Sequence, residues 1–242
     1  MSFSMAEFRA AIDKINRGMD DISAKMQEMP AAANSAVDHW YIPGFIADAI
    51  IWLCEKMIAL AQKIWDKIVE VLKGIAAPVY FFMYSRDLNG VSTSARGVVA
   101  NPADGQLVNA SDWKGEAAEA YKREVPAQRD ATGEVGAIAD KMSSSLIWAA
   151  VAGCLFYVGL GVIIVKFVLA MIAAVAAFGS AVFSRAGAAI IVEEAGVNPA
   201  AIGALVATLL ALLGDQVKEM VALQQAASSD KFPHGKWPKA SA

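Results

Sequence analysis

The first segment of the chain places hydrophobic side chains on a heptad pattern. Apolar residues recur at alternating spacings of three and four from Met5 to Met29, and charged residues fill the other positions. This pattern predicts an amphipathic helix that packs on another helix, either in this chain or in a second one. Pro30 and the Ala-Ala-Ala-Asn after it predict the end of that helix. The stripe consists of Met5, Phe8, Ile12, Ile15, Met19, Ile22, Met26 and Met29.

The pattern changes several times before the middle of the chain. A second amphipathic helix, with a wide apolar face, is predicted from Pro43-Gly44 to about Gly74. The aromatic stretch Ala76 to Tyr84 is too short to span a bilayer as a helix. From Asp87 to Asp112 the composition of Asn, Gly, Ser, Thr and Asp predicts a long loop. Helical spacing returns from about Gly115 to Met142, and Pro126 predicts a kink or a restart there.

Charge then almost disappears. Leu146 to Val165 contains twenty residues without Asp, Glu, Lys, Arg or His, enough at about 1.5 Å per residue to cross a hydrocarbon core of about 30 Å. Lys166 intervenes, Phe167 to Ser184 is again uncharged, and Ala195 to Gly214 forms a third apolar stretch. The pattern predicts two or three membrane segments, or a buried helix pair sheathed by the N-terminal helices. Glycines offer the best positions for a bend, at Gly159 and Gly161 or at Gly179-Ser180, and the third helix is expected to start at Pro199.

These segments predict an all-α fold, in which long amphipathic helices form a bundle and the C-terminal half holds a hydrophobic helical hairpin or transmembrane region. The predicted divisions are an amphipathic arm over 1–86, a loop and helix over 87–145, hydrophobic helices over 146–214, and an amphipathic helix with an extended tail over 215–242.

Composition and net charge limit the classes of partner that we expect the protein to bind. Hydrophobic residues make up 57% of the chain, above the roughly 45–50% of ordinary soluble domains. The net charge is only −3 and no basic run exists, so we expect no nucleic-acid partner. The first 29 residues lack the apolar core of a Sec signal peptide. Cys54 and Cys154 lie in helical segments and are expected to be buried free thiols.

The sequence offers no catalytic constellation. His39 and His234 are the only histidines, and no Cys/His spacing fits zinc. No phosphate-cradling glycine loop and no nucleophile elbow occurs. We therefore expect no enzymatic activity, no cofactor, no metal and no small-molecule substrate.

One short motif is informative. Trp113 and Gly115 precede an alanine-rich helical segment that contains Tyr121. Glycine permits a tight turn between antiparallel helices, and tryptophan can close the open end of such a pair. With Ala117 and Ala118, these residues resemble the W-x-G-x-A-A-x-x-[FY] signature of actinobacterial Trp-x-Gly (WxG) substrates of type VII (ESX) secretion. The resemblance covers about residues 85–146.

The resemblance implies a helical hairpin, pairing with a second copy or another helical protein, and export without a cleaved signal. The sequence departs from the family in three respects. The Tyr-x-x-x-[Asp/Glu] export motif is missing, because Tyr84 and Tyr121 have acidic residues three positions on rather than four. The segment before Trp113 has the composition of a loop, and the long apolar region resembles that of longer type VII-associated proteins with hydrophobic tails.

The sequence thus predicts a non-enzymatic, type VII secretion-associated helical protein that inserts into or resides in a membrane and pairs through its helices. Trp113, Gly115 and Tyr121 form its structural recognition motif, and membrane lipid and a helical partner, or a second copy, are its expected ligands. We expect it in a membrane, or secreted by a type VII system and inserted afterwards. Two alternatives are an integral membrane immunity or accessory protein that is not exported, and a soluble pore-forming effector that hides its apolar hairpin until it inserts.

Overall fold

The protein is all-α, as predicted. The computed structural model describes residues 3–39, 42–100, 114–178, 185–228 and 230–238, and these ranges contain no β-strand. A short 3₁₀ turn follows the last of the long helices. The five long helices are α1 (Met5–Val37), α2 (Gly44–Leu72), α3 (Ala77–Ala100), α4 (Glu116–Phe178) and α5 (Arg185–Ala226).

The chain divides into two compact units, and each collects segments from distant parts of the sequence. The four-helix unit comprises Ser4–Ala77 and Ala152–Ala211, and the hairpin unit comprises Met1–Phe3, Pro78–Val151 and Leu212–Ala242. Helices α4 and α5 contribute a segment to each unit. The segment boundaries predicted after residues 145 and 214 lie inside α4 and α5, so neither coincides with the end of a helix.

Helix α1 begins where the side-chain oxygen of Ser4 accepts a hydrogen bond from the Glu7 amide, at 3.3 Å. Its buried side is close to the predicted stripe but is not identical with it. Phe8, Ile15, Ile22 and Met29 are buried as expected, whereas Ile12, Met19 and Met26 are only half-buried. Three small residues are buried on the same side of the helix, and these are Ala11, Gly18 and Ala33.

Three prolines lie inside helices, so the predicted helix end at Pro30, the predicted restart at Pro126 and the predicted helix start at Pro199 are wrong, while the kink at Pro126 stays a prediction. Helix α1 continues through Pro30 to Val37, α4 continues through Pro126, and α5 begins before Pro199. A proline removes one backbone hydrogen bond, but a packed stripe on both sides of it can hold the helix together. In α1 that stripe is visible, because Met29 and Ala33 are both buried next to Pro30.

In the four-helix unit, the uncharged part of α4 has a buried heptad stripe of its own. Tyr157, Leu160, Ile164, Phe167, Met171, Ala174 and Phe178 are all buried. The expected hairpin bend at Gly159 and Gly161 is wrong, because both glycines lie inside the continuous helix α4. The two glycines are sites of close helix approach. A β-carbon on Gly159 would lie 3.1 Å from Leu205 of α5, and one on Gly161 would lie 3.7 Å from the Ala11 carbonyl oxygen of α1. The other expected bend, Gly179-Ser180, lies outside the described residues.

In the hairpin unit, α3 and the first part of α4 are antiparallel neighbours. The Ser143 hydroxyl donates to the Ser85 carbonyl at 2.8 Å, and Arg129 donates to the Val99 carbonyl at 2.8 Å. The predicted loop over 87–112 is therefore wrong for residues 87–100, which are helical, and residues 101–112 lie outside the described ranges. Small residues such as Ser92, which is buried, allow α3 to lie close to α4.

Candidate functional site

Two helices are long and apolar enough to cross a membrane. The most apolar 18-residue window of α4 has a mean hydropathy of 2.6, and that of α5 has 1.9. Only 33% of the α4 window and 12% of the α5 window is buried within the protein. A core helix of a water-soluble protein is mostly buried, so most of these apolar side chains lack the protein contacts that a core would give them.

The exposed side of α4 is a row of large aliphatic residues. Leu155 and Leu169 are 53% and 58% exposed, and further members of the row lie between and after them. The row is opposite the buried heptad stripe, so α4 is apolar on both faces. Lys166, which is exposed, lies within this row. The exposed aliphatic residues are Leu155, Val158, Val162, Leu169 and Ile172.

Helix α5 is still less covered. Ile202 is buried, whereas Ile190 and Leu210 are exposed by more than half of their surface. Leu212, Val217 and Val221 are exposed as well. Hydropathy marked the first part of this helix as apolar, but the sequence contains no signal for which of these side chains would lack a neighbour.

A further exposed apolar row lies on α3 and was not recognised in the sequence. Tyr80, Tyr84, Val91 and Val98 are exposed and recur at spacings of four and seven, which places them on one helix face. The same residues fall partly in the segment that was predicted to be a loop. Their helical spacing was the signal that could have revealed the row, and it was obscured by the Ser, Thr and Gly residues between them. The row is called the α3 outer face below.

The structure describes two of the three motif residues, and these two lie in different environments. Trp113 lies outside the described residues. Gly115 precedes α4 and has a φ of 108°, a backbone conformation that favours glycine. Tyr121 lies on the second turn of α4 and is 38% exposed. The midpoint between Ser85 and Ser143 in the chain is Lys114, next to Gly115, so the motif lies at the connection between the two arms of the hairpin.

The four-helix unit is held together around Tyr157. The Tyr157 ring packs edge-to-face on Phe8 of α1, with centroids 5.6 Å apart, and its hydroxyl donates to the Val71 carbonyl of α2 at 3.2 Å. Val71 is in the last turn of α2, and its carbonyl also accepts a hydrogen bond from the Gly74 amide at 3.2 Å, so the Tyr157 hydroxyl adds a second bond at this helix end. One side chain of the apolar region thereby joins α4 to both amphipathic helices.

In the described part of the chain, the ionisable residues do not cluster into a candidate metal site. No group of three His, Cys, Asp or Glu residues there could hold a metal ion. Cys54 is a buried free thiol, as is Cys154. Burial raises the pKa of the Cys54 thiol, and the neighbouring Glu55 carboxylate raises it further. His39 lies after α1, and the His234 side chain is outside the described positions.

No protein-family model, no curated protein and no solved structure matches this chain.

Proposed function

We propose that this chain is a non-enzymatic helical membrane protein, associated with type VII secretion, whose α4 and α5 enter a lipid bilayer. The observation that carries the proposal is the combination of high hydropathy and low burial in these two helices. Apolar surface in water costs about 25 cal/mol per Å². A bilayer removes that cost for the side chains that the protein itself leaves exposed.

The four-helix unit suggests how the apolar helices are held before insertion. Helices α1 and α2, called the sheath helices here, carry charged residues on their outer sides and bury apolar residues inside the unit. The heptad stripe of α4 is buried in the same unit, while its other side is exposed. This arrangement favours conditional insertion, in which the sheath helices leave α4 when the bilayer replaces them.

The hairpin unit supports the association with type VII secretion. Two antiparallel helical arms, α3 and α4, are connected at the Trp-x-Gly motif, which is the architecture that the family resemblance implies. The segment before Trp113 was one departure from the family pattern, and the helical structure of its residues 87–100 favours the resemblance. We infer that the α3 outer face pairs with a helical protein or with a second copy.

Subcellular fractionation in an actinobacterial host with and without a type VII apparatus tests the proposal. We expect the protein in membranes after an alkaline carbonate wash, and a culture-supernatant pool that disappears when the apparatus is deleted. The washed membrane pool reports on insertion, and the supernatant pool reports on secretion. Loss of the protein from washed membranes, together with a monodisperse protein in detergent-free buffer, would contradict insertion.

A dye-release measurement separates the proposal from a second function, which the covered stripe of α4 supports. A soluble pore-forming effector would hide that stripe until it meets a target membrane. Purified detergent-free protein would then release dye from liposomes without any other component. A carbonate-resistant protein with no supernatant pool would instead indicate an integral membrane immunity or accessory protein.

A further inference from the structure

A cleft of about 520 Å³ lies between α4 and α5 in the four-helix unit. Three alanines, Ala170 and Ala173 of α4 and Ala201 of α5, line it together with Leu169. Alanine side chains end at the β-carbon, so these positions leave a space between the two helices that larger residues would fill. The result is a groove with an apolar wall in the region that the proposed function places in a membrane.

Lys166 adds a single positive charge to this groove. It is the only Asp, Glu, Lys, Arg or His residue between Lys141 and Arg185 in the sequence, and its side chain is exposed at the cleft. Among the residues that the structure describes, no carboxylate forms an ion pair with it. An unpaired ammonium group is unfavourable in a bilayer, so an anionic ligand would stabilise Lys166 there.

Asn198 is the other polar residue of the cleft, and it is buried. Its side-chain nitrogen donates to the Ala195 carbonyl at 3.0 Å, within α5 itself. This hydrogen bond occupies one of the two N–H donors of the Asn198 amide. Among the described residues that line the cleft, Lys166 is the charged one and is the group that can bind an anionic ligand.

We propose that the cleft binds a membrane lipid with an anionic headgroup, with the headgroup phosphate against the Lys166 ammonium and an acyl chain along the alanine wall. The proposal rests on the proposed membrane insertion of α4 and α5. A charged group beside an apolar groove matches an amphiphile, which has one anionic end and one hydrocarbon end. A zwitterionic lipid offers the same hydrocarbon but no net charge, so headgroup charge is the property that the site would select.

Native mass spectrometry of the full chain in detergent micelles, titrated with phosphatidylglycerol or phosphatidylcholine of identical acyl chains, tests the proposal. We expect phosphatidylglycerol to bind about tenfold more tightly, because both lipids carry the phosphate but the choline cation of phosphatidylcholine offsets its attraction to Lys166. Lys166→Gln should abolish this difference and Lys166→Arg should retain it. Ala170→Leu, which fills the groove without changing charge, should weaken both lipids. Lys218→Gln is the matched control, since it removes an 81% exposed cation elsewhere on α5, and it should change nothing.

Equal binding of the two lipids by the parent protein, or a preference that survives Lys166→Gln, would overturn the proposal. Circular dichroism of each variant verifies that it is folded, and Ala170→Leu provides a test that does not depend on the lysine. Flotation of the parent protein with phosphatidylcholine vesicles measures insertion separately. If flotation fails while micelles still show the headgroup preference, the proposed function is wrong and the lipid site stands. Flotation without a headgroup preference rejects the lipid site alone.

Discussion

Gly18 lies where α1 meets α4, with no room for a side chain. A β-carbon built on Gly18 would overlap the Cγ2 atom of Ile164, which is fully buried. Gly18→Ala gains about 1 kcal/mol of helix propensity. It loses about 1–3 kcal/mol to overpacking, and because the overlap is severe we expect a net loss of about 1–2 kcal/mol in unfolding free energy. Urea unfolding in mild detergent measures the change.

Two controls separate this overlap from a general effect of removing glycine. Gly90→Ala lies in α3, where a β-carbon meets nothing within 4 Å, and it should stabilise the protein by about 0.5–1 kcal/mol. In an Ile164→Ala background the overlapping atom is gone, so Gly18→Ala should stabilise the protein by about 0.5–1 kcal/mol, as expected for Gly90→Ala. An equal cost of Gly18→Ala in both backgrounds would contradict the close approach.

Gly115 is constrained by its backbone rather than by its neighbours. Its φ of 108° disfavours every residue with a β-carbon, although a β-carbon there would meet nothing within 4 Å. We expect Gly115→Ala to lower the unfolding free energy by about 1–2 kcal/mol, purely through backbone strain. Hydrogen exchange of the first turns of α4 should locate the change. Gly97→Ala, at an open position in α3, is the control, and a loss of the same size there would remove the special role of Gly115.

At the scale of the helices, the sequence predicted the type of element well and the boundaries poorly. The heptad patterns and the uncharged stretches identified α1, α2 and α4 because a helix requires such spacing to bury one face. The residues from Asp87 to Ala100 were predicted to be a loop because Ser, Gly and Asn favour turns locally. In the fold, a β-carbon on Gly136 of α4 would lie 3.1 Å from the Ala95 β-carbon, so small residues are what the hairpin contact requires. Local composition cannot reveal a neighbouring helix.

For the candidate site, too, the sequence predicted one feature and missed another. Hydropathy identified the apolar region, since it depends only on composition along the chain. It did not reveal that α4 buries a heptad stripe and exposes the opposite row, because that depends on where α1 approaches. Gly18 leaves the space that this approach needs, and an isolated glycine in a helix has no unique meaning in a sequence.

Arg129 fastens the end of α3 to α4. It donates to the carbonyl of Val99, in the last turn of α3, where carbonyls have no partner within the helix. Hydrogen bonds from charged groups contribute about 1.5–3 kcal/mol when buried, and because Arg129 is half-buried we expect Arg129→Ala to cost about 1 kcal/mol. Faster hydrogen exchange at the C-terminal end of α3 should accompany it. Arg123→Ala, an exposed position on the same helix, should leave that exchange unchanged; if it does not, the effect belongs to helix α4 in general.

The α3 outer face is the surface expected to pair with another helix. Val91→Glu and Val98→Glu introduce charge into this row and should weaken self-association at least about tenfold, because an apolar contact would have to desolvate a carboxylate. Analytical ultracentrifugation in detergent measures the association. Thr93→Glu, exposed on the other side of α3, is the matched control. Association that resists both valine substitutions would assign pairing to another surface.

At the scale of the whole molecule, insertion requires α4 to exchange its protein neighbours for lipid. The sheath helices cover its heptad stripe, so a covalent link between α1 and α4 should prevent the exchange. A β-carbon on Gly18 would lie 3.5 Å from the Ile164 β-carbon, within the range of about 3.5–4.5 Å that a disulfide needs. Gly18→Cys/Ile164→Cys, made in a Cys54→Ala/Cys154→Ala background, also removes the Cγ2 atom that would otherwise overlap.

We expect the oxidised form of this variant to remain soluble beside liposomes and to release no dye, and the reduced form to insert as the background protein does. The control is a disulfide from Val99→Cys/Gly133→Cys, where a β-carbon on Gly133 would lie 3.8 Å from the Val99 Cγ2 atom; it links α3 to α4 within the hairpin unit and leaves the sheath helices free. Oxidation of the control should not affect insertion. If the α1–α4 disulfide also leaves insertion unchanged, then α1 enters the membrane surface together with α4, and the exposed row of α4 alone makes the contact with lipid. Equal inhibition by both disulfides would instead mean that the whole length of α4 must be free of its neighbours before it inserts.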